Sequence, residues 1–278
     1  MKYAFNSWVY SSFPCWVPAY PLAETIKRLA RIGYDGIELG CTSPHAWPAY
    51  LSPDQRKQTN KLLKDNNIVI SSVLAVPGGG PGGNVASVDP AELAWTRQHL
   101  RDVCDLAADF GCKTMLYVAG WYIYGTRKAT AWQNSLDTLK GLADYAGDKG
   151  ISIVVEPTAQ DSNLIESLDD ALTLMEQSGK NNVGVMFDTA HAMHRDEVPT
   201  DYIYQAGKNL KHIHLTDNNR GAIGAGSIDF VAIMRALKDV DYQGYVTMEN
   251  GFNSRGVHPD SVARISLEAL KAIESKLK

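Results

Sequence analysis

The chain lacks most of what would send it to a membrane, a nucleic acid or an oxidising compartment. No run approaches the roughly 20 apolar residues of a membrane span. The N-terminus, Met1-Lys2-Tyr3-Ala4-Phe5, has no long apolar core ahead of a small-residue cleavage site, so no signal peptide is expected. Positive charge is not in excess. Lys and Arg number 27 against 31 Asp and Glu, a formal net charge of −4, which argues against a nucleic-acid partner held on a basic face. The four cysteines, Cys15, Cys41, Cys104 and Cys112, show no Cys-x-x-Cys spacing. They read as reduced, mostly buried thiols rather than a disulfide set. The glycine-rich stretch Pro77–Gly83 lacks the Gly-Lys-Ser/Thr ending of a phosphate loop. It reads instead as a mobile loop near a pocket mouth. These absences together predict a soluble cytoplasmic protein with neither nucleic acid nor membrane as a partner.

What is present is a regular alternation. The chain has 278 residues, 45% of them hydrophobic, enough for one large domain over residues 1–278. Tyr3–Trp8, Tyr34–Leu39, Ile68–Val76 and Lys113–Ala119 read as the first four strands. Helices follow each of them. Leu22, Ile26, Leu29 and Ile32 keep the spacing of one helical face and stop at Gly33. Ser52-Pro53 and Asp89-Pro90 are helix starts with proline at the first helical position. Further helices are expected at about 130–149, 167–178, 200–208 and 228–239, with a last one from about Asp260. Eight strand–helix units in succession, with no composition break, predict an α/β fold: a single (β/α)8 TIM barrel with parallel strands.

The last four strands each end in a side chain that is costly to bury alone. Ile151–Val155 ends at Glu156, Val183–Phe187 at Asp188, Leu210–Ile213 at His214 and Tyr245–Met248 at Glu249. In a parallel barrel these ends share one rim, where such barrels hold their active sites. Four such groups can share one cation, which removes the cost of burial. Three carboxylates and one imidazole suit Mn²⁺, Co²⁺ or Mg²⁺ better than a thiolate-loving metal. Side-chain alternation points His212 and His214 to the same side of their strand. Glu38, near the end of the second strand, is a candidate substrate contact, with a structural pairing as the alternative. Asp217 is a candidate for orienting His214 or Arg220. Trp8, Trp121 and Tyr122 are candidates for an apolar wall beside a bound substrate, with ordinary packing as the alternative.

The segments Val155-Glu156-Pro157-Thr158, Phe187-Asp188-Thr189-Ala190-His191, His212 to Arg220 and Met248-Glu249 resemble the xylose-isomerase-like barrels of the sugar phosphate isomerase/epimerase superfamily. They most resemble its ketose 3-epimerase branch, the tagatose, psicose and fructoselysine 3-epimerases. The resemblance covers essentially the whole chain. It implies Glu156, Asp188, His214 and Glu249 as ligands of one divalent ion, Mn²⁺ or Co²⁺ first and Mg²⁺ next. It also implies Glu156 and Glu249 as the catalytic acid/base pair, and His191 and Arg220 as substrate-binding residues. His212 is then left as a hydrogen-bonded interior histidine. One position departs from the pattern. The branch carries a second glutamate six residues after the first, where this chain has Ser162. Asp161, one place earlier, fills that role if the loop is one residue shorter.

The implied activity is a metal-dependent sugar epimerase or isomerase, acting by C3 epimerisation of a ketose through a metal-stabilised cis-enediolate. The alternative is a metal-dependent dehydratase or isomerase of a cyclic polyol or keto-acid, of the inosose or dehydroshikimate type. The superfamily's DNA-repair endonuclease branch needs more histidine ligands and a basic surface than the chain supplies. A sugar-binding protein without activity is at odds with an intact set of four ligands and two bases. The expected partner is a small sugar, and a homodimer or homotetramer fits the resemblance.

Overall fold

The computed structural model describes residues 1–11, 18–75, 83–251 and 256–277. Cys15 and residues 77–82 of the glycine-rich stretch lie outside the described residues. The first half of the chain runs β1 (Lys2–Asn6), α1 (Leu22–Ile32), β2 (Gly36–Cys41), α2 (Pro53–Asp65), β3 (Val69–Ala75), α3 (Pro90–Asp109), β4 (Thr114–Val118) and α4 (Lys128–Gly147). The second half runs β5 (Ser152–Glu156), α5 (Leu168–Ser178), β6 (Val183–Asp188), α6 (Thr189–His194) and α7 (Pro199–Ala206). It ends with β7 (Leu210–Leu215), α8 (Phe230–Asp239), β8 (Tyr245–Met248) and α9 (Pro259–Lys276).

All eight strands pair in parallel, each with its neighbours in sequence, and β8 closes onto β1 through Lys2–Tyr245 to Phe5–Met248. Closure leaves no free sheet edge and puts every strand's C-terminal end on one rim. The parallel eight-stranded barrel expected from the alternation is therefore present. No helix among the described residues is long and apolar enough to cross a membrane.

The local signals explain the helix ends. Gly33 takes φ of 105° and its N–H caps Leu29 and Ala30, a turn that glycine enters without strain. Ser52 with Gln55, and Ser167 with Asp170, form reciprocal capping boxes. The Asp89 side chain accepts from the N–H groups of Ala91 and Glu92 at the start of α3. The buried face of α1 is Leu22, Thr25, Ile26 and Leu29, while α2 buries only Leu63.

Two apolar cores result. The larger lies between the barrel and its helices. The smaller lies within the barrel and joins Leu74, Leu116, Val154 and Met186, from β3 to β6, with Trp8 above them. The Cδ1–Nε1 edge of Trp8 occupies the space beside Gly40, where a Cβ would come within 1.8 Å of the ring. Cys41, Cys104 and Cys112 are buried free thiols.

The first strand is shorter than its sequence suggests. It stops at Asn6 because the Asn6 side chain accepts the N–H of Trp8 at 2.8 Å, which turns Ser7–Tyr10 into a 3-10 turn. Two short elements had no apolar period to announce them: α6, and the 3-10 turn Asn218–Arg220.

Candidate metal centre

Parallel pairing brings the four strand ends to one place. Glu156 closes β5, Asp188 closes β6 in register with His214 of β7, and Glu249 follows β8 directly. All four are buried, and each offers a donor atom within 4.8 Å of the other three. His214 Nδ1 makes no hydrogen bond. It faces Glu249 Oε2 at 3.3 Å, Glu156 Oε1 at 3.6 Å and Asp188 Oδ2 at 3.6 Å. A buried nitrogen with no hydrogen bond, aimed at three converging carboxylate oxygens, is the arrangement a cation would complete. The donors are hard oxygens and one imidazole, so the residues present fit a single divalent ion of the Mn²⁺, Co²⁺ or Mg²⁺ type.

Behind this quartet lies a second polar layer. Glu38 is fully buried. It accepts from Asn6 Nδ2 and Ser72 Oγ, each at 2.7 Å, and its Oε2 lies 2.7 Å from His212 Nε2. Its Oε1 is also 2.7 Å from His214 Nε2, a close ion pair that is off-line for a hydrogen bond. Asn6 Nδ2 reaches Glu249 Oε1 as well, at 3.2 Å.

On the mouth side stand Arg220, His191 and Asp161. Arg220 Nη1 bonds Asp188 Oδ2 at 2.7 Å and also bonds Glu249 Oε2. Its Nη2 lies 3.3 Å from His191 Nε2. The Gln160 N–H is directed at His191 Nδ1 at 3.3 Å, so donors from Gln160 and Arg220 face both ring nitrogens of His191. His191 Nε2 is 3.6 Å from Asp161 Oδ2. Asp161 is otherwise well exposed, and Ser162 is engaged with Thr158 Oγ1 at 2.6 Å.

Arg220 is delivered by a strained turn. Asn219 and Arg220 take φ of 56° and 57° in succession, a region side chains other than glycine seldom adopt. Asp217 holds the turn by accepting the N–H groups of Asn218, Gly224 and Gly226, each at 2.9 Å. A Cβ at Gly226 would lie 2.3 Å from Asp217 Oδ1, so this loop closes only over glycine. The Gly251 N–H then bonds the Arg220 carbonyl at 2.8 Å.

The electrostatics follow from burial set against charge. Burial alone would raise Asp188, but Arg220, His191 and His214 hold it well below the usual carboxylate range. Burial would likewise raise Glu38, yet His214 and His212 keep it well below that range. For Glu249 burial prevails over His214 and Arg220 and lifts the carboxyl to about 7. His214 is pressed down by burial but held well above the usual imidazole value by Glu249 and Glu38.

The sequence-derived residues are thus distributed as follows. Glu156, Asp188, His214 and Glu249 converge. His191, Arg220 and Asp161 gather on the mouth side of them. Glu38 lies on the opposite, enclosed side among protein donors, and His212 is bonded to it. Asp217 shapes the loop that carries Arg220 and has no bond to His214. Trp8 joins the apolar cluster inside the barrel. Asn6 and Ser72 gave no sequence signal, because a lone polar residue in a strand looks the same whether it faces a site or a neighbouring loop.

Comparison with known proteins agrees with this geometry. A family model described as the xylose isomerase-like TIM barrel matches residues 26–273. An L-ribulose 3-epimerase from Methylomonas sp. is 30% identical over 241 residues, covering 85% of this chain and 80% of that protein. A D-psicose 3-epimerase from Agrobacterium fabrum is 28% identical, over 81% of this chain and 77% of its own. The crystal structure of a D-psicose 3-epimerase with D-tagatose, from Clostridium cellulolyticum, superposes with a TM-score of 0.84. It covers 99% of both chains at 24% identity, which bears on the fold.

Proposed function

The chain belongs to the xylose isomerase-like TIM barrel family, with ketose 3-epimerases among its relatives, and we propose that it is a divalent-metal-dependent ketose 3-epimerase. The observation that carries the reading is the convergence of Glu156, Asp188, His214 and Glu249 on one point with His214 Nδ1 left without a hydrogen bond. These four residues would hold the ion. When bound, a divalent cation supplies positive charge against which negative charge on neighbouring substrate oxygens can build.

The chain's own residues do the rest. Epimerisation beside a ketone needs a base on one face of the carbon and an acid on the other. Glu156 ends β5 and Glu249 follows β8, with β6 and β7 between them around the barrel. They therefore approach a substrate at the mouth from different sides. One removes the proton from the carbon next to the carbonyl, and the other returns a proton to the opposite face, which inverts the centre. The Arg220 guanidinium, with His191 beside it, stands on the mouth side, placed to hold sugar oxygens. Asp161, beside His191, is the acceptor in reach of a sugar hydroxyl. The buried, preorganised donors need little rearrangement as charge develops.

A panel of ketoses in heavy water with Mn²⁺ tests the reading. The expected result, followed by NMR, is deuterium at the carbon beside the carbonyl together with the inverted product. A product lighter by one water would replace epimerisation with dehydration. Absence of label in every ketose, with Mn²⁺ shown to be bound, would overturn the reading.

A further inference from the structure

We infer that Glu38 is a positioning residue of the metal centre: through His214 directly and through Asn6 it aims two of the four ligands, and it thereby sets the affinity for a divalent cation. The inference rests on the proposed metal-dependent function and concerns the same site.

Four groups from three different strands converge on one enclosed carboxylate. They are Asn6 of β1, Ser72 of β3, and His212 and His214 of β7, each at 2.7 Å. A carboxylate offers about four lone-pair positions, so no acceptor capacity is left for a sugar hydroxyl. The backbone is arranged for this. The β2–β3 register slips by one residue between Ile37 and Glu38, and the slip sets Glu38 opposite Ser72. Strand irregularities of this kind re-aim a single side chain.

The carboxylate acts on the ligands in two ways. A negative group at His214 Nε2 keeps the ring proton on that nitrogen and turns the Nδ1 lone pair toward the other three ligands. The second route runs through Asn6. Its Oδ1 accepts the N–H of Trp8, so its amide nitrogen must face the carboxylates. That nitrogen bonds Glu38 Oε1 and Glu249 Oε1 at once, so Glu249 is steered by the same hub. Glu156 and Asp188 lie outside it, in the part of the barrel whose interior is apolar.

Glu38→Gln tests this on the intact chain, with Mn²⁺ alone titrated into the metal-free protein and free Mn²⁺ read by electron paramagnetic resonance. The expected result is an affinity about 10- to 100-fold weaker than wild type. KM for the ketose, measured at saturating Mn²⁺, should stay close to the wild-type value while kcat falls. Glu38→Asp, which keeps the charge, should recover part of the affinity. If Glu38→Gln fails to fold, Asn6→Ala leaves the Glu38 carboxylate in place, removes its bridge to Glu249 together with the bond from the Trp8 N–H, and should weaken Mn²⁺ binding several-fold. Mn²⁺ affinity equal to wild type overturns the inference. So does a raised KM at unchanged Mn²⁺ affinity, which would make Glu38 a substrate contact. Wild type that binds no Mn²⁺ would overturn the proposed function as well, whereas wild type that binds it alongside an unaffected variant overturns this inference alone.

Discussion

The inside of the barrel is two floors under one candidate metal centre. Below Glu156 and Asp188 the strands present Val154 and Met186, which pack with Leu74, Leu116 and Trp8. Around His214 and Glu249 the neighbours are His212, Glu38, Asn6 and Ser72, joined by hydrogen bonds and, at His214, by a close ion pair to Glu38. Side chains on the apolar floor give shape but no direction, because dispersion contacts are not oriented. The polar floor gives direction, because each bond fixes an angle. Asp188 compensates from above: its oxygens take the Ala190 N–H at 2.6 Å and the Arg220 guanidinium at 2.7 Å. The comparison teaches that the four ligands are equivalent in reach but not in how they are held.

The sharpest break of that comparison is to remove one base from each side. Glu156→Gln and Glu249→Gln should each lower kcat by about a thousandfold or more, since each deletes one partner of the proposed two-base exchange. Deuterium exchange with solvent separates them. The variant that still washes label into substrate without forming the epimer has lost only the returning acid.

Next in size is a cut in the apolar floor. Met186→Ala should lower folding stability by about 2–5 kcal/mol, read by urea unfolding, because a fully buried side chain leaves a cavity. Mn²⁺ affinity should stay unchanged, unlike the loss expected on the polar side. An equal fall in both would merge the floors into one.

Chelation probes the ceiling common to both. Removal of the ion should abolish activity and lower the melting temperature. Mn²⁺ at 100 times its dissociation constant should restore about 2.7 kcal/mol. An unchanged melting curve across that titration would show that the quartet holds no ion.

The smallest effect is a pH background that belongs to neither floor. His45 is buried, with Nδ1 3.1 Å from the Tyr20 carbonyl, and burial brings its imidazole down to about 4 despite that bond. Its folded value lies below the unfolded one of about 6.5. Below about 6.5 the unfolded chain binds the proton more readily, so stability is complete above that pH and falls on acidification until about pH 4. The loss should reach roughly 2 kcal/mol by pH 5. It should disappear from the urea-unfolding pH profile of His45→Gln, and a slope retained there would assign it to another group.

Much of this was legible from residues alone. The alternation of buried runs and capped helices gave the barrel, and the ends of its last four strands gave the quartet. The signals were strong because burial periodicity and caps are local. The second layer was not legible for the converse reason. Glu38 and His212 are 174 residues apart and meet only once the barrel closes. Asn6 could not be told from a strand residue, because its role depends on one side-chain bond that ends the strand. The turn that delivers Arg220 rests on left-handed backbone at Asn219, which no pattern of polarity encodes. Glu38 shows how a rim-like position in sequence becomes an enclosed one when a register slip turns it inward.

The indole edge of Trp8 set against Gly40 has a practical consequence for anyone who wishes to reshape the barrel interior. The two positions form one lock. A single methyl at residue 40 would evict the indole, whereas trimming the indole alone opens a ring-sized recess against Leu74 and Leu116. Libraries that aim to enlarge this interior should therefore vary position 8 with Gly40 held fixed, and introduce a side chain at 40 only together with a smaller residue at 8.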